Sequence, residues 1–218
     1  MSTALPPHIP DPGLPLRERK KQRTRQALID TALRLFTERG FDQVTLDELC
    51  AAVEVSKRTF FRTFTGKEDV ASAPLQDLWL AFLDDLRTRE PDGGPLLELL
   101  EQALFAALER MTAPGWSQRV RLSRQLAERT PSMEAHDLHF CRRATLEAVE
   151  LLHHRLAFDG DDLRPRLAMD LLIAGFHCAL AAWTTQPDEP GREELAARMR
   201  EAFAAVPGVL TVRAVAHG

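Results

Sequence analysis

The chain has 218 residues, 44% of them hydrophobic and 28% charged, which is enough apolar material for one large or two modest cores and excludes a disordered chain. Its formal net charge of −4 argues against a nucleic-acid binder until it is divided along the chain: residues 17–70 carry twelve Lys and Arg against nine Asp and Glu, while residues 71–218 are acidic. Three cysteines without a C-x-x-C pair exclude a disulfide framework and a zinc module, and with no run of about 18 apolar residues and no apolar leader the expected location is the cytoplasm, away from any membrane.

Residues 1–16 contain Pro6, Pro7, Pro10, Pro12 and Pro15 and are expected to form a disordered or extended tail. Basic density then peaks at Arg17, Arg19, Lys20, Lys21, Arg23 and Arg25, opposed only by Glu18. Such a segment gains affinity for DNA by counterion release. It is either an arm entering the minor groove or a solvated helix start. Ile29, Ala32, Leu33 and Phe36 then follow a helical stripe. Gly40 stands where a left-handed C-terminal residue is needed, and Phe41 can fold back onto Phe36.

Residues 45–67 read as two short helices around a tight turn. Leu46, Leu49, Cys50 and Val53 share one face, and Thr45 with Glu48 has the spacing of a capping box. Cys50 is most simply a small core residue. Ser56 is placed to cap a second helix over Lys57 to Phe64, with Phe60 and Phe64 inward and Lys57, Arg58, Phe61, Arg62 and Thr63 outward. Helix, turn and helix with a basic outer face is the plan in which the second helix enters the major groove.

A helix, R-G-F, T-[LV]-x-x-[LI], V-S-x-x-T-F-F-R-x-F and x-K-E-D, in this order over residues 22–72, resemble the N-terminal domain of the TetR family of one-component transcriptional regulators. The resemblance implies that Ser56, which caps the reading helix, with Lys57, Arg58, Thr59, Phe61 and Arg62, lies at bases or nearby backbone, and that Thr45, Thr63 and Lys67 hold phosphates. Lys67 opens the next helix, where Thr65 and Glu68 have capping-box spacing. For Arg58 and Arg62 a fork onto guanine and a clamp on phosphate both stand open. Two departures from the family pattern stand out. Glu54 replaces the usual turn glycine, at a cost of roughly 1 kcal/mol if the position is left-handed. Phe61 and Thr63 replace the frequent tyrosine pair, which leaves Phe61 for an apolar contact such as a thymine methyl.

From Lys67 onward the period stays helical. Leu75, Leu78, Trp79, Phe82 and Leu86 stripe a long fourth helix with Pro74 near its start, and further helices fit 96–111, 116–128, 132–157, 162–184 and 191–205. The expected fold is all-α, with a DNA-binding head over residues 17–70 and a larger effector-binding and dimerisation body over 71–218. In the resembled family the body binds a small molecule among its middle helices and dimerises through its last two. Candidate effector contacts are Trp79, Phe82, Phe105, Trp116, Arg121, His136, His139, Phe140 and His177, each equally readable as core or surface. Arg119, Arg121 and Arg124 form either an anion site or a solvated face. Ala174, Gly175, Ala179, Ala181 and Ala182, beside Leu171, Leu172, Phe176 and Leu180, suit either a dimer interface or an internal core.

The pieces W-S-x-R-x-R-L and D-D-L-R-P-R-L-A-M are similar to those of mycofactocin-type and acyl-sensing members, which implies a hydrophobic or acyl-like effector. His136, His139 and Cys141 are not spaced to converge on a metal, and neither a phosphate-cradling glycine loop nor G-x-S-x-G is present, so no metal, cofactor or catalysis is expected. The expected function is a homodimeric repressor that binds a palindromic double-stranded DNA operator and leaves it when a small-molecule effector binds. An activator or an effector-independent DNA-binding protein is the alternative.

Overall fold

The computed structural model describes residues 15–186, 191–209 and 211–213, so most of the expected proline-rich tail lies outside the described residues. Among these the chain is all-α: α1 (Leu16–Arg39), α2 (Leu46–Ala52), α3 (Lys57–Phe61), α4 (Lys67–Thr88), α5 (Leu96–Glu109), α6 (Trp116–Ala127), α7 (Pro131–Arg155), α8 (Arg164–Thr184) and α9 (Arg192–Val209). The chain divides into two compact units, Met1–Leu78 with Met111–Arg142, and Trp79–Arg110 with Arg143–Gly218.

The first unit is built on the apolar stripe of α1. Leu28, Ile29, Ala32, Leu33 and Phe36 are buried against Leu49 and Cys50 of α2, Phe60 of α3 and Val70 of α4. Gly40 ends α1 with φ +92°, its N–H returning to the Phe36 carbonyl, and the Phe36 and Phe41 rings meet at 4.8 Å. Only glycine holds such a backbone without strain. Leu126, Ala127 and Met133 complete this core from α6 and α7. Two polar contacts bring α6 in. The Trp116 indole donates to the Pro74 carbonyl at 3.0 Å, and the buried Arg119 guanidinium donates to Asp30 at 2.6 Å and to the Pro114 carbonyl. Arg119 therefore belongs neither to a solvated face nor to an open anion site; its charge is spent inside the fold.

In the second unit α8 packs on α9 and α5. Leu172, Gly175, Phe176, Ala179, Leu180 and Trp183 face inward, with Leu195, Met199 and Phe203 of α9 buried opposite. A Cβ at Gly175 would lie 2.7 Å from the Phe203 ring, so glycine sets how closely the two helices approach. The small and apolar residues of this segment thus serve two faces. Gly175 and Ala179 belong to the internal core, whereas Leu163, Leu167 and Leu171 are 71%, 56% and 42% exposed, in line with exposed Ala174, Cys178 and Ala181. Contrary to the sequence expectation, α8 is long and apolar enough by length and composition to cross a membrane. A helix with apolar residues on both its core side and its outer side meets that criterion without spanning anything.

Candidate nucleic-acid interface

Both α2 and α3 are opened by a side-chain cap. Thr45 and Glu48 form the expected capping box, the Thr45 hydroxyl accepting from the Glu48 N–H at 3.2 Å and the Glu48 carboxylate accepting from the Thr45 N–H at 2.8 Å. Arg39 also donates to Glu48, and these hydrogen bonds, the Thr45 backbone first, lower its pKa from 4.5 to about 2. Ser56 caps α3 by accepting from the Thr59 N–H, and the two hydroxyls lie 3.1 Å apart. Between them Glu54 has φ +56°, the left-handed conformation a non-glycine residue adopts at a cost of about 1 kcal/mol.

Helix α3 is shorter than expected, ending at Phe61 rather than Phe64. Arg62 remains helical in φ and ψ, but the Thr63 N–H reaches the Phe60 carbonyl at 2.8 Å, tightening the last turn. Phe60 and Phe64 are still buried, with ring centroids 5.7 Å apart, and they fix which side faces out. On that outer side lie Lys57, Arg58, Phe61 and Arg62, all exposed. Lys57 pairs with Asp47 at 2.9 Å, a surface contact of little energetic weight. Neither the Arg58 nor the Arg62 guanidinium has a partner among the described residues.

The basic segment that opens the head is a helix start and not an extended arm. Residues 16–39 form one helix, and a helix about 10 Å across does not enter a minor groove about 6 Å wide. Its cations divide instead. Arg25 turns inward, bidentate to Asp77 at 2.8 Å and 5.3 Å from the Phe64 ring centroid. Arg17, Lys20, Lys21 and Thr24, with Glu18 beside them and 3.8 Å from Lys21, line a groove of about 580 Å³ whose other wall is Glu54, Val55, Ser56, Thr59, Arg62 and Thr63. The first four are spaced i, i+3, i+4 and i+7, so they form one stripe of α1. That periodicity was readable in the sequence, and it marks a second wall that the reading helix alone does not reveal.

Two further placements differ from expectation. Lys67 donates to the Phe41 and Val44 carbonyls at 2.9 and 3.0 Å and lies 4.6 Å from the Phe41 ring centroid, which leaves one of its three N–H groups for a phosphate. Thr65 is bonded by Asp69 rather than Glu68, through both its N–H and its hydroxyl.

The effector candidates divide between the two units. Trp116, Arg121, His136, His139 and Phe140 fall in the first unit, Trp79, Phe82, Phe105 and His177 in the second. Trp79 packs edge-on against Phe82 and Phe176, Phe105 edge-on against Phe203, and His177 is exposed. His136 accepts from the Gln76 amide at 3.0 Å, 3.7 Å from Asp69. A small crevice in the second unit is lined by Leu86, Arg89, Leu152, Arg155 and neighbours, none of them a candidate.

Residues 28–73 match the sequence model of the bacterial regulatory proteins, tetR family. The HTH-type transcriptional regulator TcmR of Streptomyces glaucescens is 34% identical over 181 residues, 81% of this chain and 80% of that protein. The IcaR negative regulator of the biofilm operon icaADBC in Staphylococcus epidermidis is 31% identical over 78 residues, 36% of this chain and 42% of its own. In fold, the fatty acid degradation regulator FadR of Bacillus halodurans superposes with a TM-score of 0.56 at 18% identity, covering 87% of this chain and 97% of that one.

Proposed function

The chain belongs to the TetR family of DNA-binding transcriptional regulators, and from that membership we propose that it is a cytoplasmic homodimeric repressor of a palindromic operator, released by a small-molecule effector. The observation that carries the reading is the pair of unpartnered guanidiniums, Arg58 and Arg62, on the exposed side of α3 beside a groove whose far wall is the cationic stripe of α1. The helix is the right size for the major groove, and the groove beside it suits a phosphate strand. On one wall the Thr63 hydroxyl donates to the Thr59 carbonyl at 3.3 Å and the Thr59 hydroxyl lies 3.1 Å from that of Ser56, while Arg17, Lys20 and Lys21 offer charge from the other.

Dimerisation is supported by the outer stripe of α8. Leu163, Leu167 and Leu171 expose apolar area in one line, and Ala174, Cys178 and Ala181 continue it with side chains small enough for a second helix to approach. A two-fold axis there would supply the pair of reading heads that a palindrome requires. The effector is assigned by chemical class only, as a hydrophobic or acyl-like molecule.

The test is a titration of the full chain against a duplex selected from a random-sequence pool, repeated with fatty acids and acyl thioesters of increasing length. Tight binding to the selected duplex, weakened by one of these compounds, is expected. Binding that no compound alters points to an effector-independent DNA-binding protein.

A further inference from the structure

Phe61 is 56% exposed, and among the described residues every other phenylalanine and tryptophan is buried or half-buried. A single exposed apolar side chain is ordinary in itself. This one stands on the basic face of α3 with Arg58 one turn before it and Arg62 beside it, both free to contact DNA. Its ring lies edge-on to Phe60, centroids 5.5 Å apart at 89°, and Phe60 is fully buried. The ring is therefore held in place and presented outward.

A phenyl group has no hydrogen-bonding atom, so it cannot grip a phosphate or read a donor or acceptor on a base edge. The major groove offers it one apolar partner, the C5-methyl group of thymine. We infer that Phe61 is a specificity-determining residue that reads a pyrimidine 5-methyl group, so that each operator half-site contains one thymine recognised through its methyl rather than through hydrogen bonds. The inference rests on the operator reading above and adds to it a base preference that the arginines cannot supply, since their forks select guanine.

The experiment uses the full chain and the duplex it selects from a random-sequence pool, with each thymidine replaced in turn by deoxyuridine, which removes the methyl and leaves every hydrogen-bonding group. Dissociation constants are measured at one fixed salt concentration for wild type, Phe61→Ala and Phe61→Leu. At one thymine per half-site the wild type is expected to lose roughly fourfold in affinity, the burial of about one methyl group. Phe61→Ala should bind the thymine and uracil duplexes equally, and Phe61→Leu should retain part of the difference. Equal binding of both duplexes by wild type, or an equal loss in wild type and Phe61→Ala, overturns the inference while leaving the operator reading intact. A pool that yields no enriched sequence overturns the operator reading, and the inference with it.

Discussion

Arg119 and Asp30, 89 residues apart, form an ion pair of 2.6 Å in which the guanidinium is 2% exposed and the carboxylate 23% exposed. The pair fastens α6 to the first helix of the DNA-binding head, and Arg119 also donates to the Pro114 carbonyl. Removing one partner leaves the other charge buried, which costs far more than the pair contributes net. Arg119→Ala should therefore destabilise the chain by about 2–4 kcal/mol, the upper end being reduced because Asp30 keeps some solvent. Urea unfolding of Arg119→Ala, Asp30→Ala and the double variant checks this, since the double variant should lose less than the sum of the two.

Glu54 combines a backbone penalty with a misplaced charge. Its φ of +56° favours glycine, and its side chain lines the groove assigned to phosphate. Glu54→Gly should stabilise the head by about 0.5–1 kcal/mol and also tighten DNA binding. Glu54→Gln should tighten binding without the gain in stability. Thermal unfolding and DNA titration of the two variants separate the effects.

The capping box makes stability depend on acid. Glu48 titrates near 2 in the folded chain, against 4.5 ordinarily, because the Thr45 N–H, Arg39 and the Thr45 hydroxyl all favour its charged form. The contribution is thus complete above pH 4.5 and is lost as pH falls from there toward 2. Glu48→Gln should flatten the stability profile across this window and leave it unchanged in shape near neutrality. Chemical denaturation at pH 3, 4, 5 and 7 provides the comparison.

The cysteines report on the proposed dimer. Cys50 is buried and its thiol is pushed up by burial, so it should resist alkylation until the head unfolds. Cys178 is exposed on the outer stripe of α8 in the single chain, where a dimer partner would cover it. Native Cys178 should react slowly with a thiol reagent, and Leu167→Glu, which places a charge in the proposed interface, should speed its reaction and lower the mass seen by light scattering. Fast labelling of Cys178 in the native protein at micromolar concentration would count against an interface on this face.

Local chemistry was legible in the sequence and long-range pairing was not. The Thr45–Glu48 box, the Ser56 cap, the inward Phe60 and Phe64, and the strained Glu54 each depend on residues within about four positions, where spacing decides geometry. Arg25 with Asp77, Arg119 with Asp30 and Lys67 with the carbonyls of Phe41 and Val44 depend on which helices meet, and no local pattern carries that. The basic segment at 17–25 shows both cases. Its charge was legible, but the choice between an arm and a helix start follows only from α1 beginning at Leu16, which makes the segment one wall of a groove.

The most direct test of the reading face is the affinity of Arg58→Ala and Arg62→Ala for the selected duplex, measured by fluorescence anisotropy beside light scattering of the same samples. Each guanidinium that forks onto guanine is worth about 1–3 kcal/mol, so each variant should bind at least roughly fivefold more weakly, with its oligomeric mass unchanged. Wild-type affinity and an unchanged footprint in both variants would contradict the assignment of α3 as the helix that reads DNA.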